Sequence, residues 1–352
     1  MDTVCQPPVS FGIFDHLDHS GLSLSQQYRD RLKIAEACDV AGFRAYHVAE
    51  HHGTPHGLAA SPNLFLSAVA QRTKRLRVGP LVMLLNLYHP LRAFEEICML
   101  DQLSEGRVDL GIGPGAAPLE LSFFGVSARD ARERYGEAAE IVLEAMKVHR
   151  LSHTGRHFTL HDVPITLSPV QKPHPPLWYG AMRPETARWA ADYSINIACV
   201  GKSTTIRAIT DAYRAHWKGG ATRMMPLLGM VRMVVIAATD AHAYAVAAPA
   251  YARWFETFTF LSRNYNLPAP PNLPPSFEQA LGEGFCIAGS SATVREELET
   301  QVTEAGATYI MCHIAFGDLA LASSLETISS IRGAIMPSFG SPAINDKNPQ
   351  CS

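Results

Sequence analysis

Short apolar runs alternate with amphipathic stretches along nearly the whole chain. Runs at residues 9–14, 43–49, 77–85 and 108–112 read as strands, bounded by Gly, Pro and polar residues. Between and after them, residues 25–41, 61–72, 91–104 and 129–150 carry helical spacing. Gly42 stops the first of these helices, Pro62 takes the favoured first position of the second, and Gly106 lies just past the third.

Residues 152–176 break the rhythm. Gly155, Pro164, Pro169, Pro173, Pro175 and Pro176 predict a hairpin followed by an extended, proline-rich crossing. The alternation then resumes, with strands at 177–179, 195–200, 227–237 and 309–313. Helices fall at 184–191, 203–217, 241–260, 291–305 and 319–336. A second proline-rich segment, 262–284, predicts a lid over a site or a surface excursion.

Strand-and-helix units without a composition break predict one (β/α)8 TIM barrel over residues 1–337, with insertions at 152–176 and 262–284. Residues 338–352 are expected to form a disordered tail. A doubly wound sheet is the competing fold. It normally offers a glycine fingerprint after the first strand, where this chain has Asp15-His16-Leu17-Asp18-His19.

Composition agrees with a large core. Of 352 residues, 47% are apolar. Only 18% are charged, below the usual quarter, which points to much buried surface and to a homodimer. Net charge is −3 with dispersed basic residues, so neither nucleic acid nor an anionic membrane is an expected partner. The first ten residues lack a basic region followed by an apolar stretch, so no signal peptide is expected. The most apolar stretch, 78–88, is interrupted and too short to span a bilayer. Seven scattered cysteines without a Cys-x-x-Cys pair suit buried free thiols in a reducing cytoplasm.

Four constellations could carry chemistry. The second strand ends in Glu50-His51-His52, and residues 53–57 can only be a loop, which places these groups at the C-terminal mouth of a barrel. Two histidines in a surface loop are the plain alternative. Gly111-Ile112-Gly113-Pro114-Gly115 ends the fourth strand and would let a flat ligand lie against bare backbone, or simply make a tight turn. Gly180, Met182, Arg183 and Thr186 surround the start of a helix, where exposed amides, a cation and a hydroxyl suit a phosphate. An ordinary capped helix would look the same.

The fourth constellation is a metal set drawn from His16, His19, His47, His51, His52 and His56. Spacing argues against it, because adjacent His51 and His52 point to opposite sides and His16 and His19 lie in a loop. No metal site is therefore expected. Met224, Met225, Met230 and Met233 read as core or pocket lining. His313 faces either the mouth or the core, and Asp15 reads as structural.

The whole pattern resembles the bacterial luciferase-like flavin-dependent monooxygenases. The matching pieces are Glu50-His51-His52, the run 78–85 followed by His89-Pro90, Leu100-Asp101-Gln102-Leu103-Ser104-Glu105-Gly106-Arg107, Gly111-Ile112-Gly113, and residues 180–191. Similarity runs over residues 11–337. The resemblance implies a TIM barrel that holds reduced FMN, supplied by a separate flavin reductase. Oxygen adds at flavin C4a, and the peroxide oxidises a small or long-chain organic substrate. His51 matches the family's catalytic histidine and His52 its neighbour. Glu50 and Gly113 match positions beside the flavin, and Leu81-Val82 a non-prolyl cis peptide beneath it. Gly180, Met182, Arg183 and Thr186 match the phosphate-binding turn.

The chain also departs from the pattern. Gly113 stands where light-emitting luciferases carry a reactive cysteine, and Pro114 replaces the following arginine. Bioluminescence is thus not expected, and either more room beside the flavin or a different substrate is. Two other readings stay open: an F420-dependent dehydrogenase of the same superfamily, and a non-catalytic flavin-binding protein.

Overall fold

The computed structural model describes residues 6–115, 117–220, 223–268, 270 and 273–340. The strands are β1 (Ser10–Asp15), β2 (Ala45–Val48), β3 (Arg77–Pro80), β4 (Met83–Leu84), β5 (Leu110–Gly113), β6 (Arg150–Thr154), β7 (Thr159–Pro164), β8 (Leu177–Gly180), β9 (Asn196–Cys199), β10 (Leu228–Ile236), β11 (Cys286–Gly289) and β12 (Tyr309–His313). The helices are α1 (Leu24–Ala41), α2 (Pro62–Arg72), α3 (Pro90–Leu103), α4 (Pro118–Phe123), α5 (Ala131–Ala145), α6 (Pro184–Asp192), α7 (Ser203–His216), α8 (Asp240–Phe258), α9 (Phe260–Asn264), α10 (Phe277–Gly282), α11 (Ser291–Ala305) and α12 (Leu321–Ser330).

The main sheet runs β3-β2-β1-β12-β10-β9-β8-β5-β4, and its pairings are parallel. β3 leads directly into β4, and a parallel bridge joins Val78 to Val108, so the two ends of the sheet meet in a nearly closed barrel. Counting β3 with β4 as one stave gives the expected eight. The staves β2, β5, β9, β10 and β12 are buried along their whole length, which is why they read as continuous apolar runs rather than alternating ones. Inside the barrel, Leu81, Trp178, Tyr309 and Met311 form a separate core cluster. The larger core lies between the staves and the surrounding helices.

Element ends follow local chemistry. The Ser23 side chain accepts from the Gln26 amide at the start of α1, and Gly42 ends it at φ 89°. α5 stops at Ala145, short of the expected 150, because Arg150 already begins β6. The hairpin expected in the first insertion is present as antiparallel β6 and β7, and Phe158 beyond its turn lies under the Arg134 guanidinium at 4.5 Å. The crossing is fastened by Gln171, which bonds both Asp101 and Arg77.

Three features differ from expectation. β11 was not anticipated; its four residues, Cys-Ile-Ala-Gly, are too few for periodicity to register, and it pairs with the upper half of β10. The second insertion is not merely a surface excursion. Phe277 and Ala280 of α10 are buried against Tyr251 and Trp254 of α8, and Tyr251 bonds the Pro274 carbonyl. The expected tail begins at 338, yet a short turn of helix runs through Phe339, whose ring meets Phe11 at 5.4 Å. Residues 341–352 of that expectation lie outside the described residues. Among the described residues no helix is long and apolar enough to cross a membrane.

Candidate active site

Parallel staves deliver their C-terminal ends to one face. That face receives His16 after β1, Glu50-His51-His52 after β2, Gly113 from β5, Gly180 from β8 and His313 from β12. β2 itself ends at Val48, so the Glu-His-His triplet sits just past the strand, as expected.

Glu50 is buried, and both its oxygens are committed within the protein. Oε2 accepts the Leu84 amide at 2.9 Å. Oε1 accepts the Tyr88 hydroxyl at 3.0 Å and faces His52 Nε2 at 2.8 Å. Its side chain therefore ties β2 to β4 and orients His52. A carboxylate only accepts, so His52 Nε2 is the donor. The His52 ring lies edge-on to Phe124 at 4.6 Å.

His51 turns the other way. Its Nδ1 lies 3.1 Å from Glu120 Oε1, while Glu120 Oε2 accepts the His52 backbone amide at 2.8 Å. The same reasoning makes Nδ1 the donor and leaves Nε2 with the free lone pair in the neutral ring. Glu120 is buried on α4 and was missed by sequence reasoning. Six residues are too few for a helical period; the available signal was Pro118 followed by a first-turn glutamate.

The Leu81-Val82 peptide is cis, as the resemblance implied. Leu81 is buried in the barrel-interior cluster, with Val82 packed against it. This stave presses on β5. A Cβ on Gly111 would meet the Pro80 carbonyl oxygen at 2.3 Å, and one on Gly113 would meet Val82 Cγ2 at 2.7 Å. Glycine is required there by close approach. Room beside Gly113 was expected; the Val82 side chain already fills it.

A cavity of about 290 Å³ opens between the ends of β5 and β8, lined by Gly115, Leu121, Arg132, Tyr179 and Thr186 among others. At α6, Arg183 occupies the cap position without a side-chain cap bond, and Pro184 follows. The first-turn amides are thus left to an external acceptor. A Cβ on Gly180 would meet nothing within 4 Å, so open space lies over it. Met182 and Arg183 lie exposed on the turn, whereas Thr186 and Arg132 reach the cavity wall. Arg132 was not singled out from sequence, because nothing in a 15-residue helix marks one arginine over its neighbours. Amides, hydroxyl and guanidinium are the donor set a phosphate needs, so the residues present fit the end of a flavin nucleotide.

The histidines converge more than their spacing suggested. His16 lies 4.1 Å from His56 between ring centroids and 5.1 Å from His313; His51 lies 5.1 Å from His56. Trp254 and Phe258 close over His56. Burial, reinforced by the neighbouring imidazoles, lowers the pKa of His16 and His56 well below the ordinary value. Burial also lowers His313 and His47 to about 4, and raises Asp18 to about 7 against the opposing Arg31. His51 and His52 turn to different carboxylates, Glu120 and Glu50, whereas His16, His51 and His56 each offer a nitrogen within 4.8 Å of the others.

The remaining candidates are structural. Asp15 is buried and paired with Arg31 at 2.9 Å. His47 bonds the Tyr309 hydroxyl inside the barrel. Met225, Met230 and Met233 belong to the core. Cys38, Cys98, Cys199, Cys286 and Cys312 are buried and free.

Comparison with known proteins bears on the family and the fold. The uncharacterised protein y4wF of Sinorhizobium fredii is 52% identical over 342 residues, covering 97% of this chain and 100% of that protein. The 4-hydroxyprotoasukamycin monooxygenase of Streptomyces nodosus is 32% identical over 223 residues, 60% of this chain and 57% of that one. A monooxygenase from Streptomyces bottropensis shares the fold with a TM-score of 0.81 at 23% identity, over 94% of this chain and 99% of the other. The fold is also that of the oxygenating constituent of 3,6-diketocamphane monooxygenase from Pseudomonas putida, solved with FMN (TM-score 0.76, 19% identity, 94% and 98% covered). A coenzyme F420 dependent reductase from Methanopyrus kandleri shares it too (TM-score 0.70, 17% identity, 94% and 99% covered). The luciferase-like monooxygenase model matches residues 9–309, and the chain belongs to that family.

Proposed function

We propose that this chain is the oxygenase of a two-component, FMN-dependent monooxygenase acting on a small or long-chain organic substrate. The observation that carries this reading is His51, an imidazole anchored by a carboxylate through Nδ1, with its other nitrogen free at the barrel mouth. When bound, reduced FMN supplies the electrons with which O2 is split, one oxygen atom entering the substrate and the other leaving as water. The protein's share is binding, orientation and proton management.

Thr186, Arg132 and the α6 amides would hold the phosphate. The stave through Leu81 and Val82 would support the flavin ring. His51 gives or takes the proton through Nε2, its tautomer set by Glu120. Trp254, Phe258 and Phe124 keep the mouth apolar and help exclude water. A separate flavin reductase supplies reduced FMN, a division of labour supported by the relative described as an oxygenating constituent. Five buried free thiols support a cytoplasmic setting.

The test mixes flavin-free protein with reduced FMN and then with O2 in a stopped-flow spectrometer. The expected result is tight binding and reoxidation slower than that of free reduced FMN. Reoxidation at the free rate, without binding, overturns the proposal. A parallel titration with F420 separates hydride transfer: tight F420 binding with no FMN binding would place the chain with the F420 users instead.

A further inference from the structure

We infer that His16, His51 and His56 form a binding site for one divalent cation of the zinc class at the barrel mouth. Two loops bring them together, His16 after β1 and His51 with His56 after β2, although they are spread over forty residues of sequence. One nitrogen from each lies within 4.8 Å of the others. Around a tetrahedral ion with nitrogens at about 2.0–2.1 Å, neighbouring ligand atoms are about 3.4 Å apart. Ring rotations of about an ångström close that difference.

The second observation is unmet hydrogen-bonding capacity. His16 Nδ1 and both nitrogens of His56 are buried without a partner. His313, whose ring lies 5.1 Å from that of His16, makes no hydrogen bond through Nε2 either, and faces Asp18 Oδ1 at 3.9 Å. Buried polar atoms are nearly always satisfied, so a group of orphans around one point calls for an absent ligand. Trp254 and Phe258 crowd His56, which favours a small ligand over a large one.

His51 already has the outer partner that metal-binding histidines have, a carboxylate on the opposite nitrogen. Its side chain remains 29% exposed, so an ion has a way in and a fourth position open to solvent. Three imidazoles without a carboxylate among them select Zn2+, Co2+ or Ni2+ over Ca2+ and Mg2+. An ion here takes the free nitrogen of His51 and withdraws it from proton transfer. That consequence for activity rests on the function proposed above; binding itself does not.

The experiment titrates flavin-free, full-length protein with Co2+ and, separately, Zn2+. One equivalent of Co2+ should produce the strong visible band of a four-coordinate site, displaced by Zn2+, and Zn2+ should raise the melting temperature. His16→Gln and His56→Gln should each weaken binding at least 10-fold, while His216→Gln, on a distant exposed helix end, should not. Circular dichroism establishes that the variants are folded. Absence of stoichiometric binding to the unaltered protein overturns the inference whatever the variants do. So does undiminished affinity in both cluster variants.

Discussion

The Glu120 carboxylate holds His51 across 69 positions of sequence, with Oε1 at 3.1 Å from the ring nitrogen Nδ1. Its second oxygen takes the amide of the next residue, His52, at 2.8 Å. One side chain on a six-residue helix thus fixes both the tautomer of His51 and the loop that presents it. Glu120→Gln keeps the size but replaces an acceptor-only group. It should lower the oxygenation rate about 10–100-fold, the range for outer partners of functional histidines. FMN affinity should change little. The pH–rate profile should shift, which a merely structural role would not cause. An unshifted profile with a full rate would remove Glu120 from the site.

His51 and His52 should respond differently. Removing a positioned acid or base typically costs about 10²–10⁴-fold in rate. His51→Ala should lose product formation by that order while folding and binding FMN normally. The His52 ring is turned to Glu50 and Phe124, so His52→Ala should act through local order and do less harm. Product yield per reduced FMN, measured for both variants, decides the matter. Equal losses would show that the two rings share the chemistry.

Much of this was legible in the sequence because barrel staves are long apolar runs and the triplet Glu50-His51-His52 marks a strand end. The residues that complete the site were not. Glu120 sits in a helix too short to show a period, and Arg132 in one where charge is ordinary. His56 reads as a loop histidine and becomes buried only when Trp254 and Phe258, some two hundred residues away, fold over it. Gly113 looked like room and is instead the footprint of Val82. Sequence periodicity reports which face of an element is buried; it does not report which side chains from different elements meet.

The phosphate site makes a prediction about two arginines. Arg132 lines the cavity with Thr186, whereas Arg183 stands exposed on the turn. A hydrogen bond to a charged group contributes about 1.5–3 kcal/mol. Arg132→Ala should therefore weaken FMN binding about 10–100-fold, and Arg183→Ala should weaken it less. Riboflavin, which lacks the phosphate, should bind both variants as it binds the parent. Fluorescence titration with the two flavins measures this; equal loss of riboflavin affinity would mean that Arg132 supports the fold rather than the phosphate.

The homodimer expected from the low charged fraction needs apolar positions that face outward. Phe65, Ile97 and Leu100 are buried within the protomer, so they cannot form an interface. The outward apolar positions are Leu64 on α2 and Met99 and Leu103 on α3, exposed to 74%, 54% and 47%. Three large apolar side chains on two packed helices suit a covered surface better than an open one. Light scattering should report twice the 38.4 kDa chain mass. Leu64→Glu with Met99→Glu should give the single mass. A monomeric parent at micromolar concentration would contradict the dimer.

Acid should destabilise this protein well above the range where carboxylates titrate. His16, His47, His56 and His313 are all held toward the neutral form by burial. For each, the folded pKa lies below the unfolded value of about 6.5. As pH falls through 6.5 the unfolded chain takes up protons that the native state refuses, so stability drops. For His47 and His313 the loss continues to about 4. Asp18 acts in the opposite sense. Its carboxyl is raised to about 7, so the native state binds a proton first and gains stability as pH falls toward 3.8. Four imidazoles against one carboxyl leave a net excess of three protons on the unfolded side. That sets a ceiling of about 4 kcal/mol per pH unit between pH 6 and 5. The urea midpoint should therefore fall clearly from pH 7.5 to pH 5.5. In His47→Gln, which removes one of the four without touching the mouth, the fall should be shallower. A midpoint that holds steady or rises on acidification would show that these imidazoles are charged in the folded protein.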